Sequence, residues 1–155
     1  MNKKGLQRRI LNEEEVLSKA KVAYPDCEIL PTDFGALTLT QQMAAARQAR
    51  VLFGMHGAGF INLLWMPRDA VVLELFPFKA MITPVHRNLA KFAAITYMSW
   101  ANPNRRYHHE PGAHTTIQWS TFRPTLSAAV RVARNSGRTF HNGQAPSQSQ
   151  SFFGA

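Results

Sequence analysis

RVLFGMHGAGFINLLWMPRDAVVLELFPF, residues 50–78, is the stretch that decides the fold. Its two apolar runs, residues 51–53 and 71–75, are too short and too β-branched to span a membrane and read as buried strands. Between them lies Gly54-Met55-His56-Gly57-Ala58-Gly59, and then a helix-like segment over residues 60–66. Strand, glycine turn, helix, strand is the unit that leaves bare backbone N–H groups at a helix N-terminus. Such a terminus binds phosphate or another anion. The stretch therefore points to a phosphorylated ligand, a nucleotide or nucleotide-sugar.

The same alternation extends in both directions. Asn12 reads as an N-cap with Glu13, Glu14 and Glu15 in the first turn, and Pro25 stops the helix. Residues 27–30 read as a strand, and Thr38 with Gln41 fits a capping box that opens a helix over 39–49. A helix over 88–94, starting as early as Pro84, is expected to lead into a strand over 95–99. The polar residues 101–114 read as loop, and Thr121 to Pro124 opens a last helix through Arg134. From Asn135 onward Ser, Gln, Gly and Pro dominate, so 135–155 reads as a disordered tail. The expected fold class is α/β: one Rossmann-like domain over 1–134, a parallel sheet with helices on both faces. Ligands in such sheets sit beyond the C-terminal ends of the strands, where residues 54–59 and Phe76-Pro77-Phe78 fall.

Composition agrees with one domain. The chain has 155 residues, 45% hydrophobic and 10% aromatic, which is enough for a packed core. Its net charge of +9 admits nucleic acid, a membrane surface or a polyanionic ligand. Six of the Arg residues, 105, 106, 123, 131, 134 and 138, lie beyond residue 100 against Glu110 alone. That placement favours a solvated surface. Nucleic-acid binding would need basic residues clustered on one face with exposed aromatics, and here they are scattered. Cys27 is the single cysteine, so neither an intrachain disulfide nor a cysteine metal cluster is available. No run of about 18 apolar residues suggests a membrane span, and the basic start, MNKKGLQRR, is not followed by a signal-like apolar stretch.

Several residues carry candidate chemistry. The spacing GxxGxG of Gly54, Gly57 and Gly59 is not the dinucleotide fingerprint, and glycines after a strand often make only a tight turn. His56 tips the balance: at a strand's C-terminal end it can donate to a phosphate oxygen, or alternatively cap the turn's own backbone. Glu74 interrupts an apolar strand, and a buried carboxylate is costly unless paired. It can accept from ribose hydroxyls, or form a structural pair with an Arg or backbone N–H groups. Lys3, Lys4, Arg8 and Arg9 precede the first helix, and guanidinium binds phosphate bidentately. His108, His109, Glu110 and His114 match no standard zinc spacing, and no nucleophile–base set is identifiable from residue order.

As an ordered set these pieces resemble a known family. Arg8-Arg9-Ile10-Leu11-Asn12-Glu13, then Ala49 through the His56-Gly57-Ala58-Gly59 turn, Asn62-Leu63-Leu64 and Val72-Leu73-Glu74-Leu75-Phe76-Pro77-Phe78 resemble the C-terminal half of family 61 glycosyltransferases, over roughly residues 3–100. The resemblance implies a GT-B enzyme with two Rossmann-like domains, a UDP-sugar donor, inversion at the anomeric carbon and no required metal or other cofactor. It implies that Arg8 and residues 56–59 hold the diphosphate, with Asn62 behind them and Glu74 near the uridine ribose. Lys4 stands where relatives often have Arg; it keeps the charge and loses the bidentate fork. The implied reaction moves N-acetylglucosamine or xylose to a glycan or glycoprotein hydroxyl in the ER or Golgi lumen. The acceptor-binding domain of such an enzyme would have to come from elsewhere, as a missing N-terminal part or a partner chain. A non-catalytic nucleotide- or phosphate-binding module is the alternative.

Overall fold

The computed structural model describes residues 8–80, 83–109, 114–136 and 150–154. Its elements follow in chain order: α1 (Glu13–Ala23), β1 (Cys27–Pro31), α2 (Leu39–Gln48), β2 (Ala49–Met55), a 3₁₀ helix (Ala58–Trp65), β3 (Val71–Phe76), α3 (Val85–Phe92), β4 (Thr96–Ala101), β5 (His108–His109), β6 (His114–Thr115), α4 (Trp119–Ser136) and β7 (Gln150–Gly154). Five strands form one parallel sheet in the order β1-β7-β2-β3-β4, while β5 and β6 make a separate antiparallel pair. The architecture is α/β and Rossmann-like, as expected.

Strand alternation explains the two layers. Val51, Phe53 and Met55 of β2 with Val71, Leu73 and Leu75 of β3 pack against Val16, Leu17 and Ala20 of α1 and Phe122, Leu126, Ala129, Val130 and Ala133 of α4. Leu52 and Val72 point the other way, into Ala46 of α2, Phe60 and Leu63 of the 3₁₀ helix and Ala90 of α3. Every residue of β3 is buried, which is why its sequence is a continuous apolar run broken only by Glu74. Glu74 shares the face of Val72, the face that α3 covers.

Local signals hold where the chemistry is local. Thr38 and Gln41 make both bonds of the capping box, and α1 starts at Glu13 with three acidic residues in its first turn. Asn12, however, does not cap that helix with its side chain. Its amide accepts from the Ile117 N–H (2.9 Å) and donates to the Ile117 carbonyl (3.0 Å), tying the start of α1 to the segment before α4. The segment after the glycine turn is 3₁₀ rather than α. Part of the expected loop over 101–114 pairs as the β5–β6 ladder, and α4 begins at Trp119, before the Thr121 expected to open it, with Pro124 inside it.

The largest difference concerns the expected tail. Gln150–Gly154 is a strand between β1 and β2, parallel to both. Two parallel strands one place apart leave facing rows of N–H and C=O groups, and any segment able to run straight between them satisfies both rows. Polar composition marks exposure of a free chain but does not prevent that pairing. Residues 137–149 lie outside the described part.

The C-terminus of α3 carries a local cost. Ile95 N–H reaches the Ala90 carbonyl at 2.8 Å and Ala94 N–H the Lys91 carbonyl at 3.3 Å, a Schellman arrangement. It forces Ala94 to a φ of 57°, a left-handed conformation that strains an L-residue with a Cβ. Ala94→Gly is expected to stabilise the fold by about 0.5–1 kcal/mol, because glycine adopts this conformation without that strain. A rise in the urea unfolding midpoint checks it; an unchanged or lower midpoint contradicts it.

Candidate functional site

The site stands at the C-terminal edge of β2 and β3. The parallel ladder between them pairs Met55 with Leu75, and His56 N–H extends it by donating to the Leu75 carbonyl at 2.8 Å. That bond fixes the backbone at the point where the chain leaves the sheet. The His56 ring then stacks on Phe76 (centroids 5.2 Å apart, planes at 22°), and its Nδ1 meets Glu74 Oε1 at 2.5 Å.

Glu74 is the centre of a four-residue network. The same Oε1 contacts His86 Nδ1 of α3 at 2.6 Å, and Oε2 accepts from the Tyr97 hydroxyl of β4 at 2.7 Å. The Glu74 side chain is 0% exposed, whereas that of His56 is 20% exposed. A carboxylate taken out of water needs compensating donors, and three side chains from three elements supply them. Glu74 therefore has a partner set of two imidazoles and a phenol rather than an Arg or backbone N–H groups. With no exposed surface it also offers nothing to a ribose, so the direct ribose contact read from the sequence does not fit this geometry.

With Nδ1 committed to Glu74, His56 is left with Nε2 on the opposite edge of its ring. The chain beyond it is partly open: Gly57 and Gly59 are half-buried and Ala58 is exposed. The turn is not sealed inside the core. Among the described residues the backbone N–H groups of Gly57, Ala58 and Gly59 have no protein acceptor, and hydrogen bonding resumes with Phe60 N–H to the Gly57 carbonyl at 3.2 Å. A Cβ at Gly57 or Gly59 would meet its neighbours only at ordinary contact distance, 3.7 Å at the nearest. Packing among the described residues does not demand bare backbone at either position.

Two further expected residues come to this turn. Arg8 donates from Nη1 to the His56 carbonyl at 3.2 Å, which brings an exposed guanidinium to the turn across 48 residues of sequence. Asn62 is buried behind it and donates to the Gly59 carbonyl (3.0 Å) and to Gln42 Oε1 (3.1 Å). By turning that carbonyl inward it anchors the turn from behind. Lys4 lies outside the described residues, as does Glu110. His114 accepts from the Arg9 N–H through Nδ1.

His56, Glu74 and His86 also form a three-residue set whose ligand atoms lie within 4.8 Å of one another, a set of metal-binding type. A metal with bonds of about 2.0–2.1 Å in tetrahedral geometry would hold its ligand atoms roughly 3.3–3.4 Å apart. The two N···O separations of 2.5 and 2.6 Å are instead direct hydrogen bonds. The arrangement is a hydrogen-bonded His–Glu–His set. A small apolar pocket lined by Ala20, Tyr24, Cys27, Ile29, Phe53, Leu126 and Val130 lies between the sheet and α1 and α4, away from the turn, and offers no comparable donors.

His86 and Tyr97 were not legible as site residues. The available signal is slight: His86 and Ala90 lie four residues apart on the face of α3 that packs on the sheet, and Tyr97 is two strand positions along from Ser99, the residue in register with Glu74.

The model of the family Glycosyltransferase 61 matches residues 1–73. The chain is similar to the EGF domain-specific O-linked N-acetylglucosamine transferase of Drosophila melanogaster, 28% identical over 114 residues, covering 74% of this chain and 21% of that protein. It is similar to the protein of the same name from Gallus gallus, 29% identical over 111 residues (71% and 20%), and from Xenopus laevis, 30% identical over 112 residues (71% and 21%). The chain thus resembles the family 61 glycosyltransferases, and it spans about a fifth of the length of these curated relatives. Among the described residues no helix is long and apolar enough to cross a membrane.

The network has a consequence at high pH. Burial first, then the hydrogen bond to Glu74 and its charge, push the Tyr97 phenol well above its ordinary value. A folded-state value above the unfolded one means that the contribution to stability is complete below about pH 10 and is lost as pH rises beyond it. Stability is expected to fall above pH 10, and Tyr97→Phe to remove that part of the fall. Urea unfolding of both proteins from pH 8 to 11 checks it; parallel pH profiles contradict it.

Proposed function

We propose that this chain supplies the donor-holding part of an inverting, family 61-like glycosyltransferase, with the diphosphate of a UDP-sugar bound at residues 56–59. One observation carries the reading: three consecutive N–H groups without a protein acceptor among the described residues, the half-buried His56 and the guanidinium of Arg8 stand at one partly open turn at the sheet's C-terminal edge. Backbone amides aimed outward from a helix N-terminus are an anion site, and a guanidinium and an imidazole add charge-assisted donors. Room for a Cβ at Gly57 and Gly59 also fits a backbone kept bare for something that approaches from outside.

In this reading the group transferred is N-acetylglucosamine, by analogy with the relatives named above, or xylose; the acceptor is a glycan or protein hydroxyl, and the setting is the ER or Golgi lumen. Displacement at the sugar carbon needs a stabilised leaving group and a base on the acceptor hydroxyl. The turn, Arg8 and His56 serve the first need, and no metal is required because fixed donors neutralise the departing diphosphate. Glu74 is fully engaged, so it is not the base. That role falls to a residue outside this site, in a second domain of a GT-B arrangement. The same absence of a base also favours the second reading, a nucleotide-diphosphate-binding module without transfer.

Thermal unfolding with and without UDP tests the binding. At about 100 times Kd, UDP is expected to add roughly 2.7 kcal/mol, a rise of several degrees for a chain of this size. His56→Ala and Arg8→Ala each remove a charge-assisted contact worth about 1.5–3 kcal/mol and are expected to weaken UDP at least tenfold. No midpoint shift of the wild type with UDP or any UDP-sugar overturns the reading.

A further inference from the structure

Two donors on one carboxylate oxygen define the protonation pattern around it. An imidazole nitrogen that hydrogen-bonds to an acceptor-only carboxylate must carry a proton. Both His56 and His86 therefore present Nδ1–H to Glu74 Oε1, and Tyr97 presents its O–H to Oε2. In a neutral ring of this tautomer Nε2 carries a bare lone pair. A lone pair repels a diphosphate oxygen, and only a second proton on that ring converts it into a donor.

We propose that Glu74 acts as a buried counter-charge that lets His56 take up a proton when a nucleoside diphosphate binds, with His86 and Tyr97 as positioning residues that keep the carboxylate ionised. This rests on the reading of residues 56–59 as a diphosphate site. The proton comes from solvent and stays on His56 Nε2, where it is shared with a phosphate oxygen. The imidazolium is balanced by Glu74 on one side and the ligand on the other, as an aspartate balances an imidazolium in hydrolase triads.

His86 and Tyr97 matter because a carboxylate this deeply buried favours its neutral form unless donors stabilise the anion. Remove one donor and the pair takes up one proton from solvent before any ligand binds: the Nδ1 proton passes to Glu74 and the solvent proton settles on Nε2. A protonated Glu74 donates to His56 Nδ1, which flips the ring to its Nε2–H tautomer. A neutral donor then faces the ligand, no proton is taken up, and the charge-assisted contact is lost. The other groups around the network do not substitute. Arg8, at the His56 carbonyl, is permanently charged; Arg87 of α3 acts on Tyr97 only through its field; Phe76 and Phe60, which pack on His56 and His86, are apolar.

The test is calorimetric titration of the chain with UDP at pH 7.5, where the UDP phosphates are already ionised, in two buffers of different ionisation enthalpy. The wild type is expected to take up protons on binding UDP and to lose affinity as pH rises toward 8.5. Tyr97→Phe, which keeps the ring, and His86→Gln are each expected to bind more weakly, with proton uptake well below that of the wild type and a flattened pH slope. A merely structural role would lower the folded fraction without changing the proton count. UDP binding with no proton uptake by the wild type, or variants with unchanged uptake, overturns the proposal and leaves the diphosphate site standing. Failure of the wild type to bind UDP overturns the site itself, and this proposal with it. Tight stoichiometric Zn²⁺ binding that His86→Gln abolishes would also overturn it, by making the cluster a metal centre.

Discussion

A carboxylate without access to water has to be answered by donors that come to it, and Glu74 draws three elements of this molecule to one point. The turn after β2 brings His56, α3 brings His86 and β4 brings Tyr97. Leaving a buried polar group without its hydrogen-bond partner costs about 1–3 kcal/mol, and more for a charged one, so each of these elements is held in register by more than apolar contact. The sequence of β3 carries that cost in the middle of a strand that is otherwise all Val, Leu and Phe.

The position of the carboxylate converts this constraint into a site. Glu74 lies two residues before the end of β3, on the face covered by α3 and the 3₁₀ helix. Its partner His56 is the first residue beyond β2. The imidazole is therefore pinned by one nitrogen at the edge of the sheet where α/β folds bind ligands, and the partly exposed chain that follows carries three amides without an acceptor among the described residues. Asn62 holds the turn from within and Arg8 borders it from the N-terminal segment. Burial on one side of His56 is what orients the other.

Much of this was legible in the order of residues. The runs around Val51 and Val71, the capping box at Thr38 and Gln41 and the glycine turn all depend on neighbours within a few positions, and each stands where the pattern put it. Arg8 and the turn were expected together and lie together. What escaped depends on distant partners. The strand Gln150–Gly154 pairs with residues roughly a hundred positions earlier, and the Phe152-Phe153 pair is its one local hint in a stretch otherwise rich in Ser, Gln and Gly. Asn12 looks like a helix cap because Asn so often is one, yet Ile117 captures its amide. His86 and Tyr97 carry no local periodicity that separates them from ordinary helix and strand residues, and only the fold shows that both face Glu74. Glu74 itself was rightly singled out as anomalous, but its burial assigns it to positioning His56 rather than to touching a ligand.

The central claim is that the amides of Gly57, Ala58 and Gly59 receive the phosphates. A ¹H–¹⁵N correlation spectrum of the labelled chain, recorded during titration with UDP, reports on those three groups directly. The account predicts that their resonances move furthest, and downfield, as N–H groups do when they gain a charged acceptor. Larger shifts elsewhere in the sheet, with these three unmoved, would contradict it.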